Sequence, residues 1–181
     1  MEQLETDFTA LFTGGDMPEP HARLAILRFT TIFSLYEAKL CNCEAKQSSS
    51  NDYAKEFLRS GFSDVAKLCD VFQHCKKRYF PGGEESSKFK SLCGFRNGGK
   101  KSATPTELRN SITEILQHPE PSIEDKLTVC LFFCFRLRNN LFHGPKWNYN
   151  INHQSENLNL AADLLLSILL ETKEKSWSFY K

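Results

Sequence analysis

The stretch Leu127-Thr128-Val129-Cys130-Leu131-Phe132-Phe133-Cys134-Phe135-Arg136-Leu137-Arg138-Asn139-Asn140-Leu141-Phe142-His143-Gly144 decides how this chain is read. It begins as an apolar run and ends with two arginines, two asparagines and a histidine packed closely together. Burying arginine and histidine beside Leu131, Phe132 and Phe133 costs several kcal/mol unless they are paired or reach a wet surface. Histidine exchanges a proton near neutral pH, and the planar arginine fork suits a phosphate. The apolar part, Leu127 to Phe135, is far too short to span a bilayer.

Working outward, helical periodicity and punctuation dominate, and no segment alternates as a half-buried strand does. A first helix is expected over about Glu2 to Phe12, stopped by Gly14-Gly15. Pro18 and Pro20 introduce a long helix from about His21 to Cys43. Shorter helices follow over about Asp52–Arg59, with Asn51 as cap, and Asp64–Tyr79, with Ser63 as cap. Residues 81–104 are rich in Gly, Ser and Lys and are expected to form an exposed basic loop. Thr104-Pro105-Thr106-Glu107 reads as a capping box opening a helix to about Gln117. Ser122-Ile123-Glu124-Asp125 opens the next helix, which runs to about Leu141 and stops before Gly144-Pro145. A last helix is expected over about Ser155 to Lys173. The expected architecture is all-α, an antiparallel helical bundle with short accessory helices, in a single domain spanning residues 1–181.

The 23 basic and 22 acidic residues leave a formal net charge of +1, so any contact with nucleic acid must be local. Seven cysteines are an odd number, and Met1-Glu2-Gln3-Leu4-Glu5 lacks the basic start of a secretion signal. A reducing, cytoplasmic setting with free thiols is the expectation. Neither Cys41/Cys43 nor Cys69/His74/Cys75 has the spacing of a familiar zinc site, so no metal is expected. His21, His74, His118 and His153 read as surface or cap residues.

On a helical wheel with Arg136 at zero, Asn139, Asn140 and His143 fall at about 300°, 40° and 340°, while Arg138 falls at about 200°. Helix geometry therefore favours Arg136 as the partner of His143. The run Arg138-Asn139-Asn140-Leu141-Phe142-His143, followed by Gly144, resembles the signature of the HEPN family of small helical domains. That signature is an arginine with a polar residue directly after it, four to six residues and then a histidine. The resemblance favours Arg138, and the two readings reconcile if the helix frays at the poor helix formers Asn139 and Asn140.

What the resemblance implies is RNA cleavage without metal or cofactor, by attack of the 2′-hydroxyl on the adjacent phosphorus. His143 would act as acid or base and Arg138 would stabilise the phosphate oxygens. Asn139 would orient the histidine or grip phosphate, with Arg136 and Asn140 in reserve. Family members commonly form homodimers with a composite site, and serve as toxins or antiviral defence effectors under an antitoxin or other regulatory protein. The branch regulated through a tyrosine two residues after the histidine is not matched, because Pro145 stands there. Glu37, an acidic residue in an apolar-aromatic helix, is a candidate partner for Arg138 or His143. Lys88, Lys90, Arg96, Lys100 and Lys101, with Phe89 and Phe95 among them, are candidate RNA contacts. The competing readings are a non-catalytic module that binds RNA, nucleotide or protein, and a plain helical scaffold. In the latter, His143 merely stops the helix and the arginines bind its last carbonyls.

Overall fold

The computed structural model describes Thr6, Ala10 and residues 17–94, 104–143 and 151–172, with only the backbone at His143. Of the expected first helix only Thr6 and Ala10 are described, both helical, and the rest of it lies outside the described residues. Seven helices appear among those described: α1 Pro20–Leu40, α2 Ser50–Arg59, α3 Val65–Tyr79, α4 Ser87–Leu92, α5 Thr106–Gln117, α6 Ile123–His143 and α7 Ser155–Thr172. Short 3₁₀ turns at Gln47–Ser49, Pro81–Gly83 and Ile151–Gln154 link some of them. No strand occurs among the described residues, so the chain is all-α as expected. No described helix is long and apolar enough to cross a membrane.

Helix α6 is the axis of the bundle. Every residue from Leu127 to Leu137 is buried, because α2, α3, α4, α5 and α7 all pack against it. A helix apolar on all sides has to be enclosed in this way. Its start is a reciprocal cap: Asp125 N–H donates to Ser122 Oγ, while Ser122 N–H and Oγ–H donate to Asp125 Oδ2. Two groups of rings clasp it. Phe33, Tyr36, Tyr53 and Phe57 of α1 and α2 gather around Phe135, and Tyr79 stacks on Phe133 at 4.6 Å. Phe89 reaches Phe133 from α4.

The helix directions are mixed rather than uniformly antiparallel. Along α3 and α7 the contacts run in opposite order, Asp64 with Ser167 and His74 with Asn157. Along α1 and α7 they run in the same order, Glu19 with Asn152 and Arg28 with Asp163. Helix α3 also runs with α6, since Cys69 meets Lys126 and Tyr79 meets Phe133. The cause is the long excursion through α4 and α5, which returns the chain to the end where α3 began. Short connections force neighbours to be antiparallel, but this one is long.

The expected exposed loop needs correction over its first half. Residues 87–92 form α4, capped by Ser86, which accepts a hydrogen bond from Phe89 N at 3.2 Å. Phe89, Leu92 and Cys93 are fully buried, while Ser87, Lys88, Lys90 and Ser91 face solvent. An apolar i, i+3 pair was enough to dock a short helix despite its polar composition. Arg96, Lys100 and Lys101 lie outside the described residues. The expected caps also shift. Asp64, not Ser63, accepts from Lys67 N, and α5 starts after Pro105 without a side-chain cap. Thr104 is buried and donates to Gln47 instead. Helix α2 begins at Ser50, ahead of Asn51.

Candidate functional site

Helix α6 leaves the enclosed core in its last two turns, and its polar residues separate there onto opposite faces. The backbone stays helical through His143, so no fraying occurs at Asn139-Asn140. In a continuous helix Arg138 and His143 stand about 140° apart around the axis, while Arg136 and His143 stand within about 20°.

Arg136 is 3% exposed and turns inward. Its Nε donates to Leu92 O at 2.9 Å, the last carbonyl of α4, and its NH1 and NH2 reach Gln47 Oε1 and Asn140 Oδ1, each at 3.4 Å. Asn140 Nδ2 donates to the same Leu92 carbonyl at 3.1 Å. Carbonyl and amide oxygens thus satisfy a buried guanidinium through hydrogen bonds rather than a carboxylate. Burial pushes the Arg136 pKa below its ordinary value, with Cys93 opposing. Thr104 N donates to Cys93 O at 3.2 Å, so both ends of segment 94–104 are pinned at this clasp. Burial also pushes the Cys93 thiol up to about 11, against the opposing effects of Arg136 and a hydrogen bond to Thr104. Arg136 and Asn140 hold the fold together.

Arg138 points the other way, toward α1, with about a third of its side chain exposed. Its NH2 stands 3.6 Å from Glu37 Oε2, and its NH1 donates to Asn139 Oδ1 at 3.1 Å. The guanidinium carbon lies 5.8 Å from the Phe33 ring and 5.7 Å from the Phe142 ring. Cation–π contacts of this kind hold the guanidinium near the rings while it keeps N–H donors able to meet an anion. Glu37 is set in the last turn of α1 by a tight helix end. Cys41 N and Cys43 N both donate to its carbonyl, and Asn42 and Cys43 take left-handed backbone angles, φ 49° and 59°. Beneath it the Cys41 thiol sits among Tyr36 and Tyr53, its pKa pushed up to about 12 by burial.

The structure thus brings together Arg138, Asn139 and Glu37, and takes Arg136 and Asn140 away from them. Lys88 and Lys90 stand exposed on α4. Nothing is described of the His143 side chain. Phe33 and Phe142 are the residues that sequence reasoning left out. The signal for Phe142 was its place four residues after Arg138, the spacing of helix-face neighbours. His74, read from the sequence as a surface or cap residue, is placed otherwise. It is partly buried, bonded to Asn157 Oδ1 at 2.7 Å, at a narrow cleft lined by Cys75, Cys130 and Cys134. A second narrow cleft is lined by Leu137, Leu141, Ile151, Gln154 and Leu158. Arg138, Asn139 and Glu37 line neither of these two clefts. Among the described residues no group of three or more His, Cys, Asp or Glu side chains is placed to hold a metal ion. All seven cysteines are free thiols.

Fold and rim together define an all-helical protein with an arginine–asparagine–carboxylate cluster at the open end of its central helix. Comparison with known proteins finds no matching family model, no similar curated protein and no similar solved structure.

Proposed function

We propose that this chain is a metal-independent endoribonuclease of the HEPN type, acting as a toxin or antiviral defence effector under a regulatory partner protein. One observation carries the reading. Arg138, with Asn139 bound to its guanidinium, stands at the wet end of an otherwise enclosed helix, just ahead of His143. An arginine so held, in a chain with no whole-surface positive charge, suits one local phosphate.

In the proposed reaction the RNA 2′-oxygen forms a bond to phosphorus as its proton passes to a histidine. The bond from phosphorus to the 5′-oxygen breaks, and that oxygen takes a proton. The products carry a 2′,3′-cyclic phosphate and a 5′-hydroxyl, and DNA survives because it lacks the nucleophile. Arg138 stabilises the charge growing on the phosphate oxygens. His143 supplies acid–base catalysis worth about 10²–10⁴-fold. Because the two positions are about 140° apart around one helix, the reading calls for a homodimer. There, Arg138 and His143 from two copies complete a composite site.

The test is incubation of wild type, His143→Ala and Arg138→Ala with end-labelled single-stranded RNA in EDTA, with the product ends identified. Cyclic-phosphate ends from the wild type alone support the proposal, and full activity in a monomer would overturn the composite site. The same angular separation favours a second reading, a non-catalytic module whose Arg138 only grips RNA phosphate. Tight RNA binding with no cleavage by a folded dimer would select it.

A further inference from the structure

We infer that Phe142 is a stacking platform for an unpaired RNA base, placed so that the phosphate of the same nucleotide meets Arg138. This rests on the proposed RNA-binding reading of the rim and adds the class of substrate, single-stranded rather than duplex RNA.

Phe142 is 57% exposed. The other large apolar residues exposed to a comparable degree among the described residues are Leu24, Leu27, Leu35, Val65 and Leu170, all aliphatic. A lone exposed ring contributes little to the core, and this one stands beside a charge. Its centroid is 5.7 Å from the Arg138 guanidinium carbon, and Phe33, itself buried, supports that guanidinium at 5.8 Å. Arg138 thus has one buried and one exposed ring within cation–π distance. Its guanidinium carries five N–H donors, more than the contacts to Asn139 and Glu37 use, which leaves donors for a phosphate. A ring exposed over half its surface is available for a base.

Aromatic face and adjacent cation match the two ends of one nucleotide. A base inside a duplex has both faces covered, so the platform selects a strand whose bases are splayed. Because every base has a π-face, the contact tolerates all sequences. The formal net charge of +1 points the same way. Counterion release can supply only a small part of the affinity, and stacking has to supply the rest.

The probe is a single-stranded 2′-O-methyl RNA carrying 2-aminopurine, which is held but not cut because its 2′-oxygen is blocked. Binding and fluorescence quenching are read with the full chain, for wild type, Phe142→Ala, Phe142→Leu and Phe142→Trp. Ala and Leu are expected to bind about 5- to 100-fold more weakly and to lose the quench, with Trp retaining both. Melting temperatures stay near wild type, because the ring is not part of the core. The wild-type affinity should fall only shallowly with salt. A Leu variant that binds like wild type would overturn the platform, since an aliphatic contact would then suffice. So would an unchanged Ala variant, a wild type that does not bind the probe, or preference for the same strand in a duplex. Failure to cleave unmodified RNA, with probe binding and quench intact, counts against the ribonuclease reading alone.

Discussion

Arg136 and Arg138 are separated by one residue on the same helix, and almost everything about them differs. Arg136 is sealed among Leu92 O, Gln47 and Asn140, while Arg138 lies between two rings with part of its side chain in water. The spacing along the helix, about 200° of turn, sends one to α4 and the other to α1. Among the described residues the inward arginine has hydrogen bonds but no carboxylate, whereas the outward one has a carboxylate at 3.6 Å. A buried cation satisfied by neutral oxygens is committed to them. A half-exposed cation with a loose ion pair can exchange its partner for a ligand.

The sharpest way to break this contrast is to remove each arginine and read activity and stability separately. Arg138→Ala is expected to lower RNA cleavage about 10²–10³-fold, as loss of a single transition-state donor does. Its melting temperature should change little, since the ion pair is loose at 3.6 Å and a part-exposed pair is worth on the order of 1 kcal/mol. Arg136→Met should do the reverse. It leaves Gln47 and Asn140 short of a partner and weakens the anchorage of α4. The expected loss is about 2–3 kcal/mol in chemical denaturation, or roughly 5–10 °C for a chain of this size. Cleavage per folded molecule should stay near wild type. If Arg136→Met kept full stability but lost activity, the roles assigned to the two residues would be exchanged.

Much of this division was legible in the sequence, and the reason it was not fully so is physical. The apolar run from Leu127 to Phe135 marks an enclosed helix whatever packs around it. The wheel separates Arg136 from Arg138, and Glu37 stands out as acidic among apolar and aromatic neighbours. Periodicity does not say which neighbour each face meets. Leu92 O, the acceptor that holds Arg136, is a backbone atom of a segment whose composition reads as loop. Helix α4 is only six residues long, below the length at which an amphipathic pattern is decisive. The parallel course of α1 and α7 was equally hidden, because it depends on where the connections lead.

The Arg136 side of the comparison also has a pH signature. The Cys93 thiol beside it is buried, and its pKa rises from an ordinary 9.0 to about 11 on folding. The unfolded chain therefore loses this proton first as pH rises. The stabilisation is full below pH 9 and disappears as pH climbs to about 11, amounting to about 3 kcal/mol. Denaturation midpoints measured across that window should fall with pH, and less steeply in Cys93→Ala. An identical slope in the variant would mean that the other buried thiols and tyrosines account for the whole effect.

The smallest expected effect lies on the Arg138 side, at Glu37. Its carboxylate at 3.6 Å helps to aim the guanidinium, but it also offsets the charge that a phosphate would seek. The Phe33 and Phe142 rings also hold the guanidinium by cation–π contact, so its position does not depend on the carboxylate alone. Competition then dominates. Glu37→Gln keeps the shape, removes the charge and should tighten RNA binding about fivefold at low salt, from roughly 1 kcal/mol of relieved competition in a wet setting. Screening should erase most of that gain as ionic strength rises. Stability should shift by less than about 0.5 kcal/mol, as for other part-exposed ion pairs. Titration of wild type and variant with the 2′-O-methyl strand at two salt concentrations decides the matter. Weaker binding by the variant at both would show that the carboxylate, rather than the two rings, holds Arg138 in place.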